Sequence, residues 1–129
     1  MTEKHKKYTE LEFPDEGIKD SGYLINGKRE GIWKISYDDC LRETVTYKNN
    51  EINGLVTLFE QDDDGEDVKV AEGIQKMILD RGIGINSWHR EVKFWDIYGN
   101  LKQIDNYKKG ILHGTSIWYA AGRYYKKED

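Results

Sequence analysis

From Gly31 to Tyr37 the side chains alternate, Gly-Ile-Trp-Lys-Ile-Ser-Tyr, with Trp33, Ile35 and Tyr37 on one side and Ile32, Lys34 and Ser36 on the other. A period of two is the period of a strand. Beyond the short turn Asp38-Asp39-Cys40, a second alternating run puts Leu41, Glu43, Val45 and Tyr47 on a common side, and the two runs predict a hairpin. The stretch from Asn49 to Gly54 predicts the next reversal, because Asn and Gly tolerate the positive φ of tight turns. The pattern returns as Val92 to Trp95, the turn Ile97-Tyr98-Gly99-Asn100, Leu101 to Tyr107 and a turn at Lys109-Gly110. A last strand pair is predicted over 116–119 and 123–126, around Ala121-Gly122. The expected fold is all-β, a single elongated, curved antiparallel meander of hairpins, with the tail Lys126–Asp129 and the segment 1–20 as candidate protectors of its edges.

Superimposed on the alternation is a phrase written four times: a turn dipeptide, an anchor, then an apolar residue four places on. It reads Asn26-Gly27, Gly31, Ile35; Asn49-Asn50, Gly54, Leu58; Asn86-Ser87, Glu91, Trp95; and Lys109-Gly110, Gly114, Trp118. Successive anchors lie 23, 37 and 23 residues apart. Residues 41–59 also match 101–119 at an offset of 60, with Leu41/Leu101, Tyr47/Tyr107, Lys48/Lys108 and Gly54/Gly114 identical. A fixed period in this range is the mark of a repeat array, in which each unit buries its apolar face against its neighbours. The chain therefore divides as one domain, 1–129, with an N-terminal segment 1–20, units of about 22–53, 54–83, 84–108 and 109–127, and an insertion of 14 residues at about 60–80.

Composition supports this reading. The chain is 37% apolar and 34% charged, with sixteen aromatic residues, 13 Gly and one Pro; that suits a thin core on a pleated sheet better than helices. The single cysteine, Cys40 in a predicted turn, excludes an internal disulfide and a multi-cysteine zinc site. No apolar run reaches the length of a membrane span, and the charged first twenty residues lack the apolar core of a signal peptide, so the expected location is the cytoplasm. The net charge of −4 hides an uneven distribution: residues 1–75 carry 10 basic and 18 acidic side chains, and residues 76–129 carry 10 and 6. Such acidity opposes nucleic-acid binding, which depends on neutralising phosphates.

The phrases Asn26-Gly-Lys-Arg-Glu-Gly-Ile-Trp33, Leu41-Arg-Glu-Thr-Val-Thr-Tyr-Lys-Asn-Asn50 and Tyr98-Gly-Asn-Leu-Lys102 through Lys109-Gly-Ile-Leu-His-Gly114 resemble the bacterial variant of the MORN repeat. Leu24 and Gly84 stand where that pattern has the tyrosine of Tyr47 and Tyr107, and Glu91 stands in place of the anchor Gly. The resemblance implies a curved sheet of hairpins that recognises protein or lipid without chemistry of its own. Short bacterial members are similar to antitoxins and immunity proteins of polymorphic-toxin systems. It therefore implies a cognate toxin, of nuclease or deaminase type, as partner, with no cofactor. A scaffold or adaptor binding anionic lipid or other proteins is the alternative, although membrane association is not favoured by the charge; the oligomeric state stays open.

Candidate contact residues come from the irregular unit. Between Glu60 and Glu72 there are seven acids and one Lys, so Asp62, Asp63, Asp64, Glu66 and Asp67 are expected to form an acidic partner-binding loop, against the plainer expectation of a solvated loop tip. The spacing Glu60, Asp62, Asp64, Gly65 copies the first half of a calcium loop, but the position of the bidentate Glu is Ala71. The histidines His5, His89 and His113 are scattered, and neither a metal pair nor a nucleophile elbow is present; catalysis is not expected. Trp95 and Trp118 are expected to stack as core, leaving Phe94, Ile117 and Tyr119 on the opposite side. Trp88, Phe94 and Tyr119 are the predicted aromatic contacts.

Overall fold

The computed structural model describes residues 6–120 and 123–128, which form one antiparallel sheet. Its strands are β1 (Lys6–Phe13), β2 (Ile18–Ile25), β3 (Lys28–Tyr37), β4 (Cys40–Lys48), β5 (Glu51–Gln61), β6 (Asp67–Asp80), β7 (Ile83–Trp95), β8 (Leu101–Lys108), β9 (Ile111–Leu112), β10 (Thr115–Ala120) and β11 (Arg123–Glu128), with a 3-10 turn at Pro14–Glu16. Strands follow one another in sequence order from β1 to β8, then β10 and β11, while β9 pairs with β8. The all-β meander expected from the alternation is therefore what the chain forms. The segment before residue 21 is more than a terminus: β1 pairs with β2 along eight residues, from Lys6 with Ile25 to Phe13 with Ile18. The predicted turn Ala121-Gly122 lies outside the described residues.

The hairpins β3–β4, β5–β6 and β7–β8 each carry two irregularities, and these are the structural repeat. At one margin a residue of positive φ interrupts the ladder: Gly31 (74°), Gly54 (141°), Arg90 (65°) and Gly114 (79°). Two residues later comes a buried side chain: Trp33, Val56, Val92 and Ser116. At the other margin one residue of the even-numbered strand is left over, namely Arg42 in β4, Val70 in β6 and Lys102 in β8. Paired bulges bend and twist a sheet, and a single layer can bury a residue as large as Trp33 at 0% exposure only by curving around it.

The third anchor is accordingly Arg90, one residue before the expected Glu91. Arg90 pairs with Tyr107 as Gly31 pairs with Tyr47, and Val92 pairs with Asp105 as Trp33 pairs with Val45. That single-residue shift inverts the faces assigned to the later aromatics. Phe94 pairs with Gln103, which pairs with Trp118, so Phe94 and Trp118 share a face; Trp95, Ile117 and Tyr119 lie on the other. Trp118 is 43% exposed, and the expected Trp95–Trp118 core stack does not form. The bulge at Arg42 likewise sets Leu41 opposite Ser36, out of the row of Glu43, Val45 and Tyr47. Cys40 is the first residue of β4 and is half-buried.

The core is centred on one row on the concave side, Trp33, Val45, Val56, Gly73, Val92 and Asp105, each paired to the next, with Ala71 buried beside it. Two glycines keep it close. An ideal Cβ on Gly22 would lie 2.5 Å from the Trp33 indole, and one on Gly73 would lie 2.9 Å from Val92 and 3.1 Å from Trp88.

Candidate interaction surface

In a meander, successive connections alternate between the two margins of the sheet, and here that sorts the charge. One margin carries the connections 14–17, 38–39, 62–66 and 96–100. They hold Asp15, Glu16, Asp38, Asp39, Asp62, Asp63, Asp64, Glu66 and Asp96, nine carboxylates and no cation. The opposite connections, 26–27, 49–50, 81–82 and 109–110, hold Arg81 and Lys109 and no carboxylate. With two strands between neighbouring connections on a margin, the acidic groups recur about every 10 Å over roughly 30 Å. Among the described residues only Asp96 of the nine pairs with a cation, Lys102 at 3.5 Å. Charge is thus polarised between the margins of the sheet as well as along its strand order.

Two of the acidic connections have the same construction. In 62–66 the Asp62 amide donates to the Glu66 carbonyl and Gly65 N–H to the Asp62 carbonyl, while Asp62 Oδ1 accepts from the amides of Asp64 and Glu66, each at 2.9 Å. In 96–100, Asp96 Oδ1 accepts from the amides of Tyr98 and Asn100 at 2.9 and 3.0 Å, with the same two backbone bonds. These amides, that of Asn100 first, hold the Asp96 carboxyl below the usual carboxylate range, helped by the Asn100 side chain and Lys102 against a smaller opposing effect of desolvation. Asp62 therefore builds the loop, and Asp63, Asp64, Glu66 and Asp67 present the charge. A shallow groove of about 330 Å³ lies between the two connections, lined by Asp62, Asp63, Asp64 and Tyr98. At the position of the bidentate Glu in the calcium-loop spacing, Ala71 is buried within β6; among the described residues no group of three or more His, Cys, Asp or Glu is arranged to hold a metal ion.

The predicted aromatic contacts separate. Phe94 lies near the acidic margin, in a depression of about 510 Å³ with Leu58, Glu60 and Trp95. Trp88 shares its face, lying over Gly73, but toward the opposite margin, whereas Tyr119 is on the other face. Asp62–Asp67 and Phe94 thus lie toward one margin, with Trp88 toward the other margin and Tyr119 on the opposite face.

The expected insertion is mostly strand. Only 62–66 is loop; the remaining extra length makes β6 and β7 outrun their neighbours, so that Met77–Asp80 pairs with Ile83–Asn86 as an arm closed by Arg81-Gly82. Asn86-Ser87, expected as a turn, lies within β7. The arm exposes Leu79 (73%) and Ile83 (66%), and Leu79 borders the same depression as Ile111. Its signal is the run Gly-Ile-Gly-Ile-Asn-Ser-Trp over 82–88, seven uncharged residues in a chain that is 34% charged. The sequence signal for the acidic margin is similarly plain once turns are counted alternately: every acidic connection is an odd-numbered one.

On the concave face near β1 a second charged group occurs that the repeat does not announce. Arg29 donates to Asp20 Oδ2 at 3.0 Å, stacks 4.5 Å from the Trp33 ring centroid and 5.2 Å from that of Tyr47, and reaches the Tyr47 hydroxyl at 3.3 Å. Two strands along the same row, Glu43 has its carboxyl pushed up by burial and by the charge of Asp20.

No family model matches the chain, and no solved structure matches it. Among curated proteins it is similar to mite allergen Der p 21.0101 of Dermatophagoides pteronyssinus, 23% identical over 90 residues, 69% of this chain and 64% of the relative. The chain thus spans less than two thirds of that protein's length, and an identity this low carries neither its fold nor a role across. Among the described residues no helix is long and apolar enough to cross a membrane.

Proposed function

We propose that this chain is a non-catalytic protein-binding module that offers its acidic margin to a basic partner, and that the partner is a cognate toxin of nuclease or deaminase type. The observation that carries the reading is the segregation of nine carboxylates, without a cation, onto the connections of one margin. A cleft that holds a nucleic-acid backbone lines up cations, and a row of carboxylates is the matching surface. The resemblance to immunity proteins supports the same partner class. Beside the acids, the depression at Phe94 supplies an apolar contact of the kind that anchors interfaces.

Co-expression with the toxin encoded beside it tests the proposal: growth is restored, and the purified pair associates more slowly as salt is raised. The variant D63N/D64N/E66Q/D67N associates about tenfold more slowly at low ionic strength. Failure to rescue any neighbouring toxin removes the immunity reading. A second reading, attachment to an anionic lipid surface, is favoured by one observation, the exposed Leu79 and Ile83 flanking Arg81, a pairing suited to a membrane interface. Sedimentation with phosphatidylserine vesicles decides it, since Leu79→Ser with Ile83→Ser abolishes binding only if the arm inserts.

A further inference from the structure

Between β1, β2, β3 and β4 a cavity of about 230 Å³ opens on the concave face, with Asp20 and Glu43 in its wall, Glu16 at its rim and Phe13, Ile35 and Tyr37 around it. Asp20 is 7% exposed. One of its oxygens is held by Arg29; the other, Oδ1, is buried and has no hydrogen-bond partner. Leaving a buried carboxylate oxygen without a donor is costly. Arg29 directs Nη1 to Asp20 and Tyr47 and stacks on the Trp33 ring, and among the described residues it makes no ion pair with Glu43. The cavity therefore holds three carboxylates, Glu16, Asp20 and Glu43, against one occupied cation, and among the described residues no ion pair compensates Glu16 or Glu43.

We propose that this cavity is a receptor for an organic cation, a guanidinium or alkylammonium head that donates to Asp20 Oδ1 and the Glu43 carboxylate while its stem lies between Phe13 and Tyr37. Four features select that class. The free acceptors are carboxylate oxygens, which favour charged donors. The walls are aromatic and aliphatic, with Phe13 42% and Tyr37 40% exposed, and rings of this kind hold a cation on its stem side. The volume is several times the ~30 Å³ share of a water molecule in the liquid, enough for a head group and part of its stem. A bare metal ion is disfavoured, because the carboxylates lack the arrangement that such an ion needs. The natural source is an Arg or Lys side chain of the partner protein, and that identification rests on the function proposed above; the receptor itself does not.

The test uses the free protein and N-acetyl-arginine amide. Titration should give a saturable shift of the Glu43 carboxyl carbon and the Tyr37 ring in NMR spectra, weakened about tenfold by Glu43→Gln, as loss of one charge-assisted bond predicts. Potassium chloride at equal ionic strength should give no saturable shift. No saturation, or equal affinity in Glu43→Gln, overturns the receptor; a tighter response to magnesium or calcium chloride overturns the choice of an organic cation. Asp20→Asn should weaken the response likewise; if it fails to fold, Phe13→Ala with Tyr37→Ala replaces it, and unchanged affinity there removes the ring contribution. A protein that binds the probe but rescues no toxin keeps the receptor and loses the immunity reading; one that rescues a toxin without binding the probe does the reverse.

Discussion

The Trp33 indole lies across Gly22 so closely that a methyl group there would sit 2.5 Å from its ring, and the indole N–H donates to the Tyr23 carbonyl at 3.1 Å. The glycine is required by contact and not by its φ. Gly22→Ala should therefore destabilise by about 1–3 kcal/mol through overpacking, visible as a lower urea midpoint with an unchanged slope. Gly73→Ala, against Val92 and Trp88, should behave alike. A neutral result at both would mean that the row of core residues is looser than its burial indicates.

Asp105 stands in β8 where Val45 stands in β4, paired with Val92 as Val45 is with Trp33. It is 5% exposed, with Oδ2 accepting from Gln103 at 2.7 Å and Oδ1 without a partner. Asp105→Val should raise stability by about 1–3 kcal/mol by removing a poorly satisfied buried polar group. It should also lower the Tyr107 titration, which burial and, secondarily, the Asp105 charge push up; an ultraviolet pH titration measures this directly.

Within the acidic loop the roles divide. Asp62→Ala loses two hydrogen bonds to backbone amides and should cost about 1–2 kcal/mol by chemical denaturation. Asp63→Asn, Asp64→Asn and Glu66→Gln should stay within about 0.5 kcal/mol of the parent, as surface changes do, while altering the salt dependence of partner association. Equal destabilisation by all four would contradict the division.

Glu43 and Asp96 give opposite pH signatures. The Glu43 carboxyl is raised from 4.5 in the folded chain, so its relative contribution is fully present below 4.5 and is lost as pH rises through the folded value. Glu43→Gln should thus be more stable than the parent at neutral pH and equal to it in acid. The Asp96 carboxyl is lowered from 3.8; its contribution is present above 3.8 and is lost as pH falls through the folded value, so Asp96→Asn should lose stability at neutral pH and differ less in acid. Denaturation midpoints at both ends of the range check the two signs.

The fold was legible because strand period and turn chemistry agree: Asn26-Gly27, Asn49-Asn50 and Lys109-Gly110 reverse the chain where Asn and Gly in those places predict. The faces beyond β6 were not, because the third positive-φ position is filled by Arg90, a residue type that rarely adopts it, and nothing marks it in the sequence. The bulges at Arg42, Val70 and Lys102 are equally silent, since a leftover residue has no preferred chemistry. The acidic residues of the candidate surface were legible as a run, but their alignment with Asp15, Glu16, Asp38 and Asp39 depends on which connections share a margin. The cavity at Asp20 and Glu43 joins residues from four strands, which no local spacing expresses.

The shared construction of 62–66 and 96–100 has a consequence for how such a chain can change. Asp at the first place and Gly at the fourth set the turn; the second, third and fifth places carry Asp63, Asp64 and Glu66 in one copy and Ile97, Tyr98 and Asn100 in its neighbour. Architecture and surface charge are thereby written in different letters of the same five, so a lineage can change the charge it presents without renegotiating its fold.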